Sequence, residues 1–276
     1  MASPSLSCLR FVDVSAWDPS SLQWRQLLLQ LPEHEQKQVT RFMFAKDQNL
    51  ALGSRLLQRQ LIHELFGVNY DSIEIARTPE NKPYWKRSES STPSSWNYNV
   101  SHHGTIVAIA SDSRSLVGVD VVRLTDRPHR KTSIEDFFRA FAGHFNPNEW
   151  KYIRGEGSVD DDGQYTRFYR LWSLKEAYIK ATGIGLGFSL LRAEFVRKAS
   201  TWELLLDGQQ ASDWHFSSNQ VDKEHLVSIA YGPFSAVWKP ETSSIFQGEL
   251  ITNILSTTII DGTEDWQEWR LQDLLH

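Results

Sequence analysis

The feature that most constrains this chain is an internal echo. Trp96-Asn97-Tyr98 leads to Ile106-Val107-Ala108-Ile109-Ala110, and Trp214-His215-Phe216 leads to Leu226-Val227-Ser228-Ile229-Ala230. Each time an aromatic strand precedes a strand of small apolar residues, and each time a helical stretch closed by glycine and further strand candidates come before it. A chain that carries one plan twice is expected to fold as an α+β protein of two similar lobes facing each other, with a ligand between them. Chance similarity of two Trp-rich strands is the competing reading.

Periodicity fills in the rest. Leu22, Leu28 and Leu29 predict a helix over 21–31, and Leu50, Leu57, Leu61 and Leu65 predict a longer one over about 47–65, stopped by Gly67. A short strand is expected over 72–75 and a Ser/Pro-rich surface loop over 88–95. Strands at 96–100 and 105–110 flank a tight Ser-His-His-Gly connection, and a third follows at 116–122. Helical spacing returns over 134–145, then an acidic loop over 155–163 and a helix over 166–181 closed by Gly183. Strands are expected again at 192–196, 202–206 and 226–229. The tail is polar and ends in Trp266, Trp269, Leu271, Leu274 and Leu275, spaced like a short amphipathic helix that docks on the body. The expected division is 1–115, 116–239 and an extension, 240–276.

Composition narrows the function. With 40% hydrophobic residues the 276-residue chain can bury a sizeable core, where most of its 11 Trp and 14 Phe belong. A net charge of −5 and a pI near 6.0 argue against a long nucleic-acid partner. The single cysteine, Cys8, excludes an internal disulfide and a Cys-rich zinc module, and fits a reducing compartment. No run approaches the roughly 20 apolar residues of a membrane span, and residues 1–17 lack a secretory apolar run. The expectation is a cytoplasmic protein with no membrane partner. A Gly-x-x-x-x-Gly-Lys loop and a Rossmann glycine fingerprint are both missing.

Four constellations carry chemistry. In Trp172-Ser173-Leu174-Lys175-Glu176-Ala177-Tyr178-Ile179-Lys180, positions 172, 176 and 180 share one helix face, so a carboxylate and an amine project together. Taken alone this is an ordinary Glu/Lys pair. Asp120 interrupts the apolar run Val117-Gly118-Val119-Asp120-Val121-Val122, and a buried carboxylate must meet a cation, a metal or several donors. A salt bridge is the bland reading. Asn99-Val100-Ser101-His102-His103-Gly104 concentrates short donors and imidazoles where the backbone turns, which suits a phosphate or a metal-bound pyrophosphate, with a common polar hairpin turn as the bland reading. Adjacent histidines on a strand point apart, which disfavours a zinc site. Arg77-Thr78-Pro79-Glu80-Asn81-Lys82-Pro83 is a two-cation turn, either solvated or a clamp for an anion.

In chain order, from the Arg77 turn through the Asn99 and Asp120 segments to the Trp172 helix, with Gly183-Ile184-Gly185-Leu186 after it, these pieces resemble the surfactin-type 4'-phosphopantetheinyl transferases. The resemblance is to the branch that includes the animal aminoadipate-semialdehyde dehydrogenase phosphopantetheinyl transferase, and runs from about residue 10 to 235. It implies two pseudo-twofold lobes with coenzyme A in the cleft, Mg2+ on its pyrophosphate, and transfer of the phosphopantetheine arm to a serine of acyl, peptidyl or aminoadipate carrier domains by a monomer. By the same resemblance Asp120 and Glu176 would be the metal ligands. Glu176 and Lys180 would be catalytic, with Lys180 meeting the pyrophosphate. Asn99, Ser101 and His102, with the Arg77 to Lys82 turn, would hold the 3'-phosphate and adenosine end.

Three positions depart from the family pattern. Many bacterial relatives have a second acid two residues after the strand aspartate, where this chain has Val122, which leaves a water to complete the octahedron. Lys46, just before the first long helix, stands where the animal branch has Arg and would touch the coenzyme phosphate, keeping the charge and losing the planar fork. His103 stands where the animal relative resembles a glutamine and is expected to orient water near the metal.

Overall fold

The computed structural model describes residues 6–79, 81–86, 95–128, 132–155, 159–236 and 266–274. The first half runs β1 (Cys8–Asp13), α1 (Leu22–Leu29), α2 (Glu33–Thr40), α3 (Ala45–Phe66), β2 (Ile75–Arg77), β3 (Pro83–Trp85), β4 (Asn97–His103) and β5 (Ile106–Asp112). The second runs β6 (Leu116–Arg123), α4 (Ile134–Ala140), α5 (Pro147–Arg154), α6 (Asp161–Thr182), β7 (Ala193–Lys198), β8 (Thr201–Leu206), β9 (Gln209–Gln210), β10 (His215–Gln220) and β11 (His225–Gly232); β12 (Gln267–Glu268) follows. Both halves read strand, helices, long helix, hairpin, two strands. Their sheets also share one order, β1-β5-β4 against β6-β11-β10. The echo is therefore a repeated topology, and the fold is α+β as expected.

Strand alternation builds the layers. On β5, Val107 and Ile109 face α3 and its leucines, while Ile106, Ala108 and Ala110 face the other way. On β6, Val117, Val119 and Val121 join those residues, with Val227 and Ile229 of β11, in a core between the two sheets. The period of two then turns Gly118, Asp120 and Val122 toward α6. At Gly118 helix and strand approach so closely that an added Cβ would lie 2.1 Å from the Ala177 carbonyl oxygen and 2.4 Å from the Ala181 nitrogen. Glycine there brings α6 down onto β6 beside Asp120.

The long helices match their leucine patterns and end as expected, Gly67 at φ 64° and Gly183 at φ 70°. α6 starts earlier than its apolar spacing indicates. Asp160 accepts from the Gly163 N–H, and Asp161 and Asp162 lie in the first turn, so the acids expected in a loop instead complement the helix dipole. Of that expected loop, 156–158 lie outside the described residues.

Other expectations need correction. α2 went unread because only Glu35 and Val39 of its eight residues are buried. The helix expected over 134–145 ends at Ala140, and α5 follows behind the Asn146/Glu149 capping box with Pro147 at its start. The strand expected over 72–75 is Ile75–Arg77, half of a hairpin with Pro83–Trp85. The tail forms no amphipathic helix in 266–274. β12 pairs parallel to β1, a 3-10 turn follows, and Trp269 and Leu274 are buried against the first half. The rest of the tail from 240, and the 88–95 loop apart from Ser95, lie outside the described residues. Cys8 is buried, which pushes its thiol to about 11 and leaves it inert. Among the described residues no helix is long and apolar enough to cross a membrane.

Candidate active site

The site lies where β4 of the first half meets β6 and α6 of the second. β4 and β6 are joined by side chains rather than by a backbone ladder. Val117 N–H donates to Asn97 Oδ1 (3.0 Å), Val119 N–H to Asn99 Oδ1 (2.9 Å), Val121 N–H to Ser101 Oγ (3.2 Å) and Arg123 N–H to His103 Nδ1 (3.1 Å). Both partners advance by two at each step, so the strands run parallel and every second β4 side chain is an acceptor. Ser101, His102 and His103 are thus strand residues, not a connection. Gly104, at φ 63°, makes the turn tight enough to allow it.

Ser101 also reaches the reactive centre. Its Oγ donates to Asp120 Oδ1 (3.3 Å), and the Lys180 ammonium donates to Ser101 Oγ (2.8 Å) and Asp120 Oδ1 (2.5 Å). Asp120 is 6% exposed, as expected for an acid in an apolar strand that has found a cation. Glu176, one helical turn before Lys180, is half-buried beside this trio. Among the described residues no hydrogen bond or ion pair reaches its carboxylate, while burial and then the Asp120 charge push its pKa up against the opposing pull of Lys180. Two acids and one ammonium therefore converge with a carboxylate left unsatisfied.

That arrangement fits a divalent ion. A partly buried, partnerless carboxylate raised by a second carboxylate is what a shared cation would relieve. Mg2+ is commonly held by one or two carboxylates, completing its shell with water and phosphate oxygens. Among the described residues no cluster of three or more His, Cys, Asp or Glu is present, so the protein ligands would be Asp120 and Glu176 alone. Val122 packs with Leu124 and Leu226 under Tyr169 and Trp172, so its position belongs to the core.

The remaining expected site residues divide. Asn99 is buried, with its side-chain oxygen committed to Val119, so it joins the halves rather than facing a ligand. Lys82 lies between them too: its ammonium donates to Ala181 O (3.3 Å) and Val117 O (3.5 Å), and desolvation lowers its pKa to about 8. Arg77 is exposed and holds the β2–β3 turn through Asn81 O (2.9 Å). With Arg55, His34 and Gln38 it lines a cleft of about 150 Å3. His102 is exposed on the face opposite Ser101. Lys46 is exposed within the first turn of α3, not ahead of it. His103 does not serve as a free water ligand, because Arg123 N–H occupies Nδ1 and Asp126 lies 2.8 Å from Nε2. Sequence reasoning missed the ladder, although polar side chains at 97, 99, 101 and 103 were its visible signal.

Comparison with known proteins finds matches along both halves of the chain. A family model described as 4'-phosphopantetheinyl transferase, N-terminal, matches residues 15–114. Another, the 4'-phosphopantetheinyl transferase superfamily, matches 116–230. The chain is 32% identical over 237 residues to the L-aminoadipate-semialdehyde dehydrogenase-phosphopantetheinyl transferase of Pongo abelii, covering 82% of this chain and 75% of that one. It is 36% identical to a phosphopantetheinyl transferase of a Thraustochytrium species (79% and 75% covered). It is also 36% identical to the Xenopus laevis protein with the same name as the Pongo one (79% and 73% covered).

Proposed function

The chain belongs to the 4'-phosphopantetheinyl transferase superfamily and transfers phosphopantetheine to carrier proteins, and we propose that it does so with coenzyme A and Mg2+ at Asp120, Glu176 and Lys180. The products are the serine-linked arm and adenosine 3',5'-bisphosphate. The observation that carries this reading is the convergence of Asp120, Lys180 and the partnerless Glu176 where the two halves meet.

The residues divide the work by charge. Asp120 and Glu176 would hold Mg2+, which supplies charge neutralisation of the pyrophosphate when bound. Lys180, 30% exposed and already at the site, is placed to add a cation for the leaving bisphosphate. Glu176, beside the metal position, would also accept the proton from the attacking serine hydroxyl. Lys46 supports the coenzyme phosphate: it is exposed in the first turn of α3, where Phe44 provides no side-chain cap, so its amine beside the helix N-terminus suits an anion. Arg77 and His102 line the approach. The partners are acyl, peptidyl or aminoadipate carrier domains, so that the enzyme acts as a holo-[acyl-carrier-protein] synthase, as a monomer in the cytoplasm.

Intact-mass spectrometry of an apo carrier protein incubated with this protein and coenzyme A, with and without Mg2+, tests the proposal. A gain of about 340 Da, the mass of the arm, appearing only with Mg2+ is the expected result. No gain with several unrelated carriers would contradict it.

A further inference from the structure

About 100° around α6 from Glu176, Lys175 forms an ion pair with Glu149 at 2.8 Å, with both side chains at 0% exposure. The Lys175 ammonium also donates to Leu190 O (2.9 Å) and Ala193 O (2.5 Å). Glu149 accepts from Phe195 N–H at Oε1 (2.9 Å) and Asn146 N–H at Oε2 (2.8 Å). Three bonds from Lys175 thus tie α6 to α5, the turn before β7 and the start of β7, while Glu149 links α5 to β7 and closes its own helix start. Burial opposes both charges, lowering the Lys175 pKa and raising that of Glu149.

Stability alone does not call for such a knot, because well-packed apolar residues of similar volume often replace a buried ion pair without loss. What they cannot supply is direction. Lys175 and Glu176 are successive residues, about 100° apart around the helix, and Glu176 has no partner of its own to aim it. We propose that Lys175 and Glu149 are positioning residues: their bonds fix the rotation of α6 about its axis and so hold Glu176 and Lys180 against Asp120. This rests on the reading of Asp120 and Glu176 as the metal site.

The test compares the wild type with Lys175→Met, Glu149→Gln and the double variant Glu149→Leu/Lys175→Met. Thermal midpoints, calorimetric titration of Mg2+ into protein with coenzyme A, and kcat and carrier KM are measured. Lys175→Met leaves a buried carboxylate unpaired and lowers the midpoint. The double variant regains the midpoint, yet binds Mg2+ about 10- to 100-fold more weakly, the usual effect of losing an outer positioning partner, with kcat reduced and carrier KM unchanged. A double variant with both wild-type midpoint and wild-type Mg2+ affinity overturns the inference. If the double variant does not fold, Glu149→Gln decides by the same titration, since it keeps the shape and loses the charge; wild-type affinity there overturns it equally. A wild type that neither binds Mg2+ nor transfers the arm overturns the functional reading and this inference with it.

Discussion

α3 and α6 are both 22 residues long, occupy the same place in the repeated plan and end on a left-handed glycine, yet they present opposite chemistry. The buried polar side chains of α3 find protein partners. Asn49 takes Trp24 Nε1 (2.8 Å) and donates to Trp17 O (2.7 Å), Gln58 accepts from Tyr98 OH (3.1 Å), and Arg59 meets Glu35 (3.0 and 3.1 Å). α6 is equally well paired at Lys175, but leaves Glu176 unsatisfied beside Asp120. The close approach differs too, coming from Gly53 of the helix in the first half and Gly118 of the strand in the second. Duplication supplies the frame, and chemistry arises where one copy withholds the partners the other provides.

The strongest attempt to break this contrast changes the charged residues of each helix face. Asp120→Ala or Glu176→Ala is expected to lower transfer by about 10^2- to 10^3-fold or more, in the range of losing a main electrostatic stabiliser, with the thermal midpoint held or raised. Arg59→Met on α3 should do the reverse. It leaves Glu35 buried without its bidentate partner, for a loss of about 3 kcal/mol in denaturant unfolding, while kcat per folded molecule stays unchanged. Lost transfer in Arg59→Met at full stability would erase the contrast.

Smaller effects sharpen it. Asn99→Ala orphans the buried Val119 N–H and should destabilise by about 1–3 kcal/mol, with coenzyme A affinity measured by calorimetry unaltered, because this residue joins the halves rather than touching the ligand. Lys180→Ala should weaken coenzyme A binding by about tenfold, near the 1.5–3 kcal/mol of a charge-assisted bond; unchanged binding would remove Lys180 from the pyrophosphate.

The pH effect is smaller still. Glu176 has a folded pKa raised above its unfolded value, so the folded state binds that proton more tightly and loses stability as pH rises through the raised value. Without metal, Glu176→Gln should therefore gain more in thermal midpoint over wild type at pH 7.5 than at pH 5. An equal gain at both would mean that the carboxylate is not perturbed.

How far these features were legible follows from what each signal reports. Leucine spacing and a terminal glycine report burial along one helix, so α3 and α6 stood out, whereas α2, with Glu35 and Val39 as its buried residues, gave almost no period. Asn146-Pro147-Asn148-Glu149 was a readable helix start that apolar spacing passed over. Asp120, Glu176 and Lys180 were each visible by type and place, but their convergence depends on Gly118 letting α6 down onto β6. The alternation of polar side chains at 97, 99, 101 and 103 hinted at Asn99's role without naming its partner, and the role of Lys82 was beyond sequence. Their partners are backbone groups of the other half, and no residue type advertises a backbone acceptor or donor.

The central claim is that Asp120 and Glu176 form one cation site that α3 has no counterpart for. Calorimetric titration of Mg2+ with coenzyme A present, into wild type, Asp120→Asn, Glu176→Gln and Arg59→Met, tests it most directly. The account predicts one Mg2+ bound by the wild type and by Arg59→Met, and binding lost in Asp120→Asn and Glu176→Gln. Undiminished Mg2+ binding by either acid variant would contradict it.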